Sequence, residues 1–388
     1  MRVVGACSLG GAGHLEPLRP VLDAAGRLRA ETIVAGPPAL AELVADAGFD
    51  FAPCGEPHED VVAPIRERLA TAPAAEASVL GDRELFGRLA TTAMLPGMER
   101  LLAERPPDLV VRDPCEYASA VVAHRAGIGV VQVAIGLAEV EWRSIGVAAP
   151  ALEDHRAGLA DEVRATPYVS RLPASVDPSP FGDTRRFRST PVPASPLPDW
   201  WDGSTAPLVY VSFGTVLGYM TTAAAAYEAA LEAVAGLEAR VLMTVGHRFD
   251  PDRLGPVASH VHVERWVDQT DVLAEADLVV CHGGSGTTFG ALAAGLPVVI
   301  TPMFADQHAN GAAVEAAGAG LTVTPGDRDG VRGTFDRADV GPLIAAIAAV
   351  RDDGSHRVAA QRIAEEMAAA PTLDELVADL LSDPSPRH

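Results

Sequence analysis

The stretch that decides the fold is Asp277-Leu-Val-Val-Cys281, followed by His282-Gly-Gly-Ser-Gly-Thr-Thr288 and an alanine-rich run. A short apolar run that ends at glycines predicts a buried strand, then a tight turn and a helix. The amides at a helix N-terminus bind anions, and small glycines let a diphosphate approach them. The stretch therefore predicts a strand-to-helix unit with a phosphate site, although a plain turn with a Ser or Thr cap would use the same residues.

The same alternation of strand and helix recurs along the chain. Predicted strands in the first half are 2–7, 31–35, 108–111 and 129–134. Those in the second half are 208–212, 239–244, 260–263, 277–281, 297–301 and 320–323. Strands that alternate with helices indicate parallel sheets with ligands at the carboxyl ends of the strands. We predict the α/β class, with two Rossmann-like, doubly wound parallel-sheet domains that face a cleft.

A proline-rich segment over 173–202 divides these two halves, and it lacks apolar periodicity. At 388 residues the chain is too long for one ordinary core. We predict an acceptor-binding domain over 1–176, a linker over 177–204 and a donor-binding domain over 205–370. The remaining 371–388 hold an amphipathic helix, predicted to cross back to the first domain, and a tail.

Charge and cysteine content limit the partners of the chain. Its formal net charge is -22, which disfavours nucleic acid and anionic membranes as partners. All 30 basic residues are arginines, so a bound diphosphate would be neutralised by Arg, His, hydroxyl groups or helix N-termini. The four cysteines have neither zinc nor disulfide spacing, and no apolar run reaches the roughly 20 residues of a membrane span. These features predict a cytoplasmic protein, with homodimer formation left open.

Two further segments suit a nucleotide-sugar donor. Trp266 lies on a predicted loop and offers a flat face to a pyrimidine base. Asp306 and Gln307 follow a predicted strand, and a carboxylate beside an amide can hold neighbouring sugar hydroxyls. His282 and Thr287 can donate hydrogen bonds to phosphate oxygens.

Four segments, in their order along the chain, resemble motifs of family 1 glycosyltransferases of GT-B fold. They are Ser212-Phe-Gly-Thr215, Trp266 to Gln269, His282 to Thr288 and Asp306-Gln307. The resemblance is greatest to bacterial enzymes that glycosylate macrolides, enediynes and aromatic polyketides. It implies a nucleoside diphosphate sugar as substrate, with TDP-deoxysugar favoured over UDP-sugar, and no cofactor or metal. The implied donor-binding residues are Ser212, Gly214, Thr215, Trp266, Val267, Gln269, His282, Gly284, Ser285, Gly286, Thr287, Asp306 and Gln307.

The resemblance also implies an inverting mechanism with a histidine base. His14 stands in Gly13-His-Leu-Glu-Pro17, after the first predicted strand, and Asp113 follows a neighbouring strand in Arg112-Asp-Pro114. We predict that Asp113 orients His14 and that the helix N-terminus lowers the pKa of His14. A loop-to-helix cap at His14 and a turn at Asp113 are the structural alternatives.

The acceptor pocket is less well specified. Phe86, Met94 and Trp142 are candidate lining residues for a small polyketide-like or aromatic acceptor, but residues at helical spacing more often belong to the core.

Parts of the sequence are also compatible with other functions. A metal-dependent transferase would use an Asp-x-Asp motif, and Asp250-Pro-Asp252 and Asp327-Arg-Asp329 have that spacing in turn-like surroundings. A nucleotide-sugar 2-epimerase or a non-catalytic nucleotide-sugar-binding protein could share the architecture. A dinucleotide-dependent dehydrogenase is disfavoured, because Gly10-Gly-Ala-Gly13 lacks the dinucleotide-binding spacing.

Overall fold

The structure is a computed structural model that describes residues 1–69, 72–326 and 335–382. The chain forms two compact units. The first comprises Met1–Leu172, Asp177–Thr190 and the chain from residue 370 on, and the second comprises Pro173–Val176 and Pro191–Ala369. Each unit is built around one parallel sheet.

The sheet of the first unit has seven strands in the order β3-β2-β1-β4-β5-β6-β7, all parallel. They are β1 (Arg2–Ala6), β2 (Glu31–Gly36), β3 (Asp50–Pro53), β4 (Leu109–Arg112), β5 (Gly129–Val133), β6 (Tyr168–Ser170) and β7 (Thr184–Arg186). The four strands predicted in this half are present within about one residue at each end. Three short strands were not predicted, and β7 lies inside the segment predicted to be a linker.

Helices cover both faces of this sheet. They are α1 (Ala12–Leu15), α2 (Arg19–Arg27), α3 (Ala41–Asp46), α4 (Glu59–Leu69), α5 (Ala74–Ser78), α6 (Thr91–Glu104), α7 (Ala118–Ala126), α8 (Ala138–His155) and α9 (Leu159–Ala165). A π-helical segment, Val79–Ala90, joins α5 to α6, and Pro38–Leu40 forms a 3-10 turn. The segment after β1 forms two helices, α1 and α2, rather than one, because Pro17 lacks the amide that would continue the first helix.

Successive side chains of β1 show how the first core is arranged. Val3 packs with Leu22 of α2 on one face of the sheet, and Val4 packs with Met98 of α6 on the other. Both valines are buried, as expected of a central strand covered by helices on both faces.

The second unit has a six-stranded parallel sheet in the order β10-β9-β8-β11-β12-β13. Its strands are β8 (Leu208–Ser212), β9 (Arg240–Thr244), β10 (Val261–Glu264), β11 (Leu278–Cys281), β12 (Val298–Ile300) and β13 (Gly320–Thr322). Its helices are α10 (Ala223–Val234), α11 (Gln269–Glu275), α12 (Ser285–Ala293), α13 (Gln307–Ala316), α14 (Val340–Asp352) and α15 (Gly354–Ala369), with 3-10 turns at Leu217–Tyr219, Pro251–Leu254 and Arg337–Asp339. All six strands predicted here are present.

The last helix, α16 (Leu373–Ser382), packs on α2 and so belongs to the first unit, as predicted. Its buried side chains are Leu373, Leu376, Val377, Leu380 and Leu381. Burial of such a side chain contributes roughly 1.5–3 kcal/mol, so this face anchors the helix more than its exposed ion pairs do. Within the described ranges, no helix is both long and apolar enough to cross a membrane.

Strand order determines where ligands can bind. In both sheets the order reverses beside the first strand, between β1 and β4 and between β8 and β11. Loops that leave the carboxyl ends of such strand pairs form the ligand sites of doubly wound folds. The residues after β1 and β4 include His14 and Asp113, and those after β8 and β11 include Gly214 and His282.

Candidate active site

His14 and Asp113 meet at the switch point of the first sheet. Nδ1 of His14 lies 3.2 Å from Oδ2 of Asp113. The Asp113 side chain is fully buried, whereas 18% of the His14 side chain is exposed. Among the described residues, nothing forms a hydrogen bond with Nε2 of His14. The imidazole is therefore held on one edge and has a free nitrogen on the other.

Ser8, which the sequence did not single out, completes this arrangement. Its amide donates to Oδ2 of Asp113 at 2.6 Å, and its hydroxyl lies 2.9 Å from the same oxygen. The hydroxyl is also 3.1 Å from Nδ1 of His14. A serine at the start of the segment between β1 and α1, the helix that holds His14, was the available signal.

Asp113 is fixed by its own turn as well. The Cys115 amide donates to Oδ1 at 2.7 Å. The guanidinium of the completely buried Arg112 donates to the carbonyl oxygens of Asp113, at 3.0 Å, and of Glu116. Arg112 also donates to Oε1 of Gln132. This buried arginine braces the turn, so the carboxylate is preorganised before any ligand binds.

The predicted effect on the pKa of His14 is wrong in sign. Burial alone would lower the pKa, but the charge of Asp113 and the hydrogen bond to it outweigh burial and raise it above 6.5. The one-turn helix α1 is too short to provide a strong dipole, and His14 lies in its last turn. Burial favours a raised pKa for Asp113, yet His14 and the backbone amides hold it below its usual value.

The three candidate acceptor residues lie in different environments. Phe86, on the π-helical segment, is half-buried with its ring centroid 5.8 Å from that of His14. Met94 is only 1% exposed and packs in the apolar core, and its place in an acceptor pocket stays a prediction. Trp142 packs edge-on against Phe181 at 5.1 Å. Phe86 is thus the candidate whose ring packs against that of the histidine.

The glycine-rich turn of the second unit holds the imidazole of His282 between two glycines. A Cβ atom at Gly284 would lie 2.4 Å from Nε2 of His282, and one at Gly214 would lie 2.8 Å from it. Gly214 also has a φ of +72°, which favours glycine. The loops after β8 and β11 are therefore in direct contact through this ring.

Burial favours the neutral form of this imidazole. Burial lowers the pKa of His282 to about 4, against the opposing influence of Asp306 and the backbone of Ser212. The N-cap of α12 is Gly284, which has no side chain to cap the helix. The turn thus offers a neutral imidazole and an uncapped helix N-terminus to an anion.

Two more contacts join the predicted donor residues. Nε2 of Gln269 donates to Oγ1 of Thr287 at 3.0 Å, which links α11 to α12. The Ser212 hydroxyl accepts from Thr244 at 2.9 Å. Gly286 and Thr215 are exposed at the turns. Thr244 was not predicted, although a hydroxyl residue at the carboxyl end of a strand was a usable signal.

Trp266 and Val267 lie on the loop after β10. The Trp266 side chain is 53% exposed, and its ring stacks on His247 with 6.0 Å between centroids. Val267 is half-buried beside it. The two aromatic rings form an accessible flat surface, and base stacking on it stays a prediction.

Asp306 and Gln307 behave differently from each other. The half-buried Asp306 accepts a hydrogen bond from the Ser285 hydroxyl at 2.8 Å, which joins it to the glycine-rich turn. Gln307 is 2% exposed, and its Oε1 accepts from the amides of Met303 and Phe304 at 2.8 and 3.0 Å. Gln307 thus stabilises the turn that presents Asp306, and its contact with a sugar stays a prediction.

The two Asp-x-Asp motifs gain no support as metal sites. Asp250 pairs with Arg265 at 2.8 Å beside a 3-10 turn, and Asp327-Arg-Asp329 lies outside the described residues. Across the part of the chain that the structure describes, no group of three or more His, Cys, Asp or Glu side chains could hold a metal ion.

Comparisons with known proteins identify the family of the chain. Residues 22–214 and 228–382 match the N-terminal and C-terminal domains of the family described as Erythromycin biosynthesis protein CIII-like. The chain is 31% identical to the L-demethylnoviosyl transferase of Streptomyces niveus over 96% of this chain and 95% of that protein. The chain belongs to this family of glycosyltransferases.

Solved structures place the glycosyltransferase in the GT-B fold. Spinosyn rhamnosyltransferase SpnG complexed with thymidine diphosphate matches 98% of this chain and 100% of its own, with a TM-score of 0.77 and 22% identity. SpnG complexed with spinosyn aglycone matches the same shares of both chains, with a TM-score of 0.77 and 23% identity. The predicted fold and enzyme class are confirmed, and the epimerase and non-catalytic alternatives are set aside.

Proposed function

We propose that this glycosyltransferase moves a deoxysugar from a thymidine diphosphate donor to a hydroxyl group of a small natural-product acceptor, with inversion at the anomeric carbon. His14 is the general base and Asp113 its orienting partner. The geometry of that pair carries the proposal. Nδ1 of His14 is hydrogen-bonded to the buried Asp113 carboxylate, so the opposite nitrogen, Nε2, is the one that can accept a proton.

In the proposed step, Nε2 of His14 takes the proton of the acceptor hydroxyl. The acceptor oxygen forms a bond to the anomeric carbon while the bond from that carbon to the diphosphate oxygen breaks. The nucleoside diphosphate leaves with the electron pair. Asp113 stabilises the imidazolium that forms, as its effect on the pKa of His14 already indicates.

The donor is assigned to the second unit. A neutral His282, the uncapped N-terminus of α12 and the exposed Thr215 supply hydrogen bonds to the diphosphate without a lysine. Thymidine diphosphate is favoured over uridine diphosphate because SpnG has been crystallised with it. The spinosyn aglycone complex of that protein supports a small polyketide-like acceptor.

We further propose that the reaction requires neither a metal nor a cofactor. The helix N-terminus and the neutral His282 already provide donors to the leaving diphosphate. The nucleotide sugar is then a substrate only.

Calorimetry tests the donor assignment. Wild-type protein is titrated with TDP, UDP, ADP and NAD, each with and without a chelator. We expect TDP to bind most tightly and its affinity to survive chelation. Preference for NAD, or loss of TDP binding on chelation, would overturn the assignment.

A second assay tests the base. Substituting His14→Ala should leave TDP affinity nearly unchanged, while turnover with a TDP-sugar and a panel of polyketide aglycones falls on the order of a hundredfold or more. Product stereochemistry, read from the anomeric NMR coupling, distinguishes inversion from retention. Unchanged turnover would remove His14 from the mechanism.

A further inference from the structure

Asn310 is the only asparagine in the chain, and it lies in the first turn of α13 with its side chain completely buried. Its Nδ2 atom is 2.8 Å from the carbonyl oxygen of Gly283, 3.0 Å from Oδ2 of Asp306 and 3.1 Å from the hydroxyl of Ser285. The three partners belong to the two turns that follow β11 and β12. One amide group therefore joins both turns.

The turn around Asp306 is held in a demanding shape. Ala305, directly before it, has a φ of +53°, in the left-handed region that non-glycine residues seldom adopt. Gly283 also has a positive φ, and a Cβ there would lie 2.9 Å from the Gln307 carbonyl oxygen. Such backbone persists only where surrounding contacts hold it, and such positions concentrate at functional sites.

The chemistry of Asn310 suits this task. Its Nδ2 supplies donors only, and it faces a carbonyl oxygen and a carboxylate that need donors. Ser285 donates to the same Asp306 oxygen, so the serine and the asparagine together fix one oxygen of the carboxylate. Within the described part of the chain, no donor is hydrogen-bonded to the other oxygen, Oδ1, so that oxygen can accept from a ligand.

We infer that Asn310 is a positioning residue that couples the diphosphate turn to the Asp306 turn, so that Asp306 is held ready for the sugar of the donor. The inference rests on the proposed function and adds a residue that acts through Asp306 rather than on the substrate. Without Asn310, the Asp306 carboxylate keeps the Ser285 hydroxyl as its one hydrogen-bond donor among the described side chains, and the Gly283 carbonyl loses the amide of Asn310. Recognition of the sugar then suffers more than recognition of the nucleotide.

The test compares TDP with TDP-glucose by calorimetry on the full-length protein. Wild type, Asn310→Ala, Asp306→Ala and the double variant are titrated with each ligand. We expect Asn310→Ala to weaken TDP-glucose binding about tenfold or more and TDP binding about threefold or less. In the Asp306→Ala background, Asn310→Ala should add no more than about twofold, because the residue it acts through is gone.

His356→Ala is the matched control. It removes a 2.8 Å hydrogen bond between a side chain and the carbonyl of Gly318, beyond the opposite end of α13, and should change neither affinity. Thermal unfolding of every variant separates loss of fold from loss of coupling. Equal weakening of TDP and TDP-glucose, or full additivity with Asp306→Ala, would overturn the inference. Failure of wild type to bind TDP would instead overturn the proposed function on which it rests.

Discussion

Oδ2 of the buried Asp113 lies 3.2 Å from Nδ1 of His14, and this one contact reverses the effect of burial on the imidazole. Burial disfavours the charged ring, but the carboxylate favours it more strongly, so the pKa of His14 is raised. The Asp113 charge that would stabilise the imidazolium in the transition state therefore also makes His14 more basic before the reaction.

The first prediction concerns the pH dependence of turnover. A general base must be neutral to accept a proton, so kcat/KM should rise as the pH rises through the raised pKa of His14. This acid limb of the pH profile should have its midpoint above pH 6.5. Asp113→Asn removes the charge that opposes the effect of burial, so the pKa of His14 should fall and the acid limb should move to lower pH. The plateau value of kcat/KM should fall on the order of a hundredfold or more. Rates measured across pH for both proteins check this. An acid limb that stays in place in Asp113→Asn would contradict the pairing.

The second prediction concerns Ser8, whose hydroxyl contacts both members of the pair. Ser8→Ala keeps the backbone amide that donates to Asp113 but removes the hydroxyl. We expect kcat to fall about tenfold with donor KM nearly unchanged, because the orientation of the base is lost and donor binding is not. Steady-state kinetics measures this. Ser170→Ala removes another buried serine of the same unit and should have no such effect.

Sequence patterns predicted the parts of this enzyme that depend on chain-local signals. The alternation of apolar strands and helices predicted two parallel sheets with ligands at the carboxyl ends of their strands, and both histidines stand beside glycines in the segments that follow predicted strands. The approach of His14 to Asp113 required strand pairing between β1 and β4, which the family resemblance supplied rather than periodicity.

Other features depend on side-chain packing that no local pattern encodes. Asn310 is a single polar residue near the start of a helix, and its three hydrogen-bond partners lie in two turns that are separate in the sequence. The pKa of His14 depends on a carboxylate 99 residues away in the chain, whereas the predicted dipole effect depended on a helix that proved to be one turn long. Strand β7 has three half-buried polar residues, so it shows no apolar signal.

The third prediction uses the close contact between Gly284 and His282. A methyl group at 284 would lie 2.4 Å from Nε2 of the ring, so Gly284→Ala must displace the imidazole. We expect TDP affinity to fall about tenfold or more, because the displaced ring can no longer donate to the diphosphate at the proposed site. Gly341→Ala, where a Cβ meets nothing within 4 Å, is the control. Calorimetry decides, and wild-type affinity in Gly284→Ala would show that the ring position is unimportant.

The last prediction concerns Glu141, a buried carboxyl whose Oε1 accepts from the amides of Ile135 and Gly136, both at 2.8 Å. Burial raises its pKa from 4.5 to about 8, and the nearby Asp177 adds to the effect, against the hydrogen bonds that favour the charged form. The folded protein therefore binds this proton more tightly than the unfolded chain. The resulting stability is complete below pH 4.5 and is lost as the pH rises through about 8.

Glu141→Gln keeps a carbonyl oxygen for the two amides and carries no charge at any pH. Its free energy of unfolding should therefore fall less between about pH 5 and pH 9 than that of wild type, and at the upper end it should exceed wild type by on the order of 2 kcal/mol. Denaturant unfolding at several pH values measures both curves. Glu139→Gln, on the exposed side of the same helix, should run parallel to wild type. If Glu141→Gln also ran parallel to wild type, the carboxyl would be ionised in the folded enzyme at neutral pH, and the loop after β5 would be held by a charge rather than by a neutral acid.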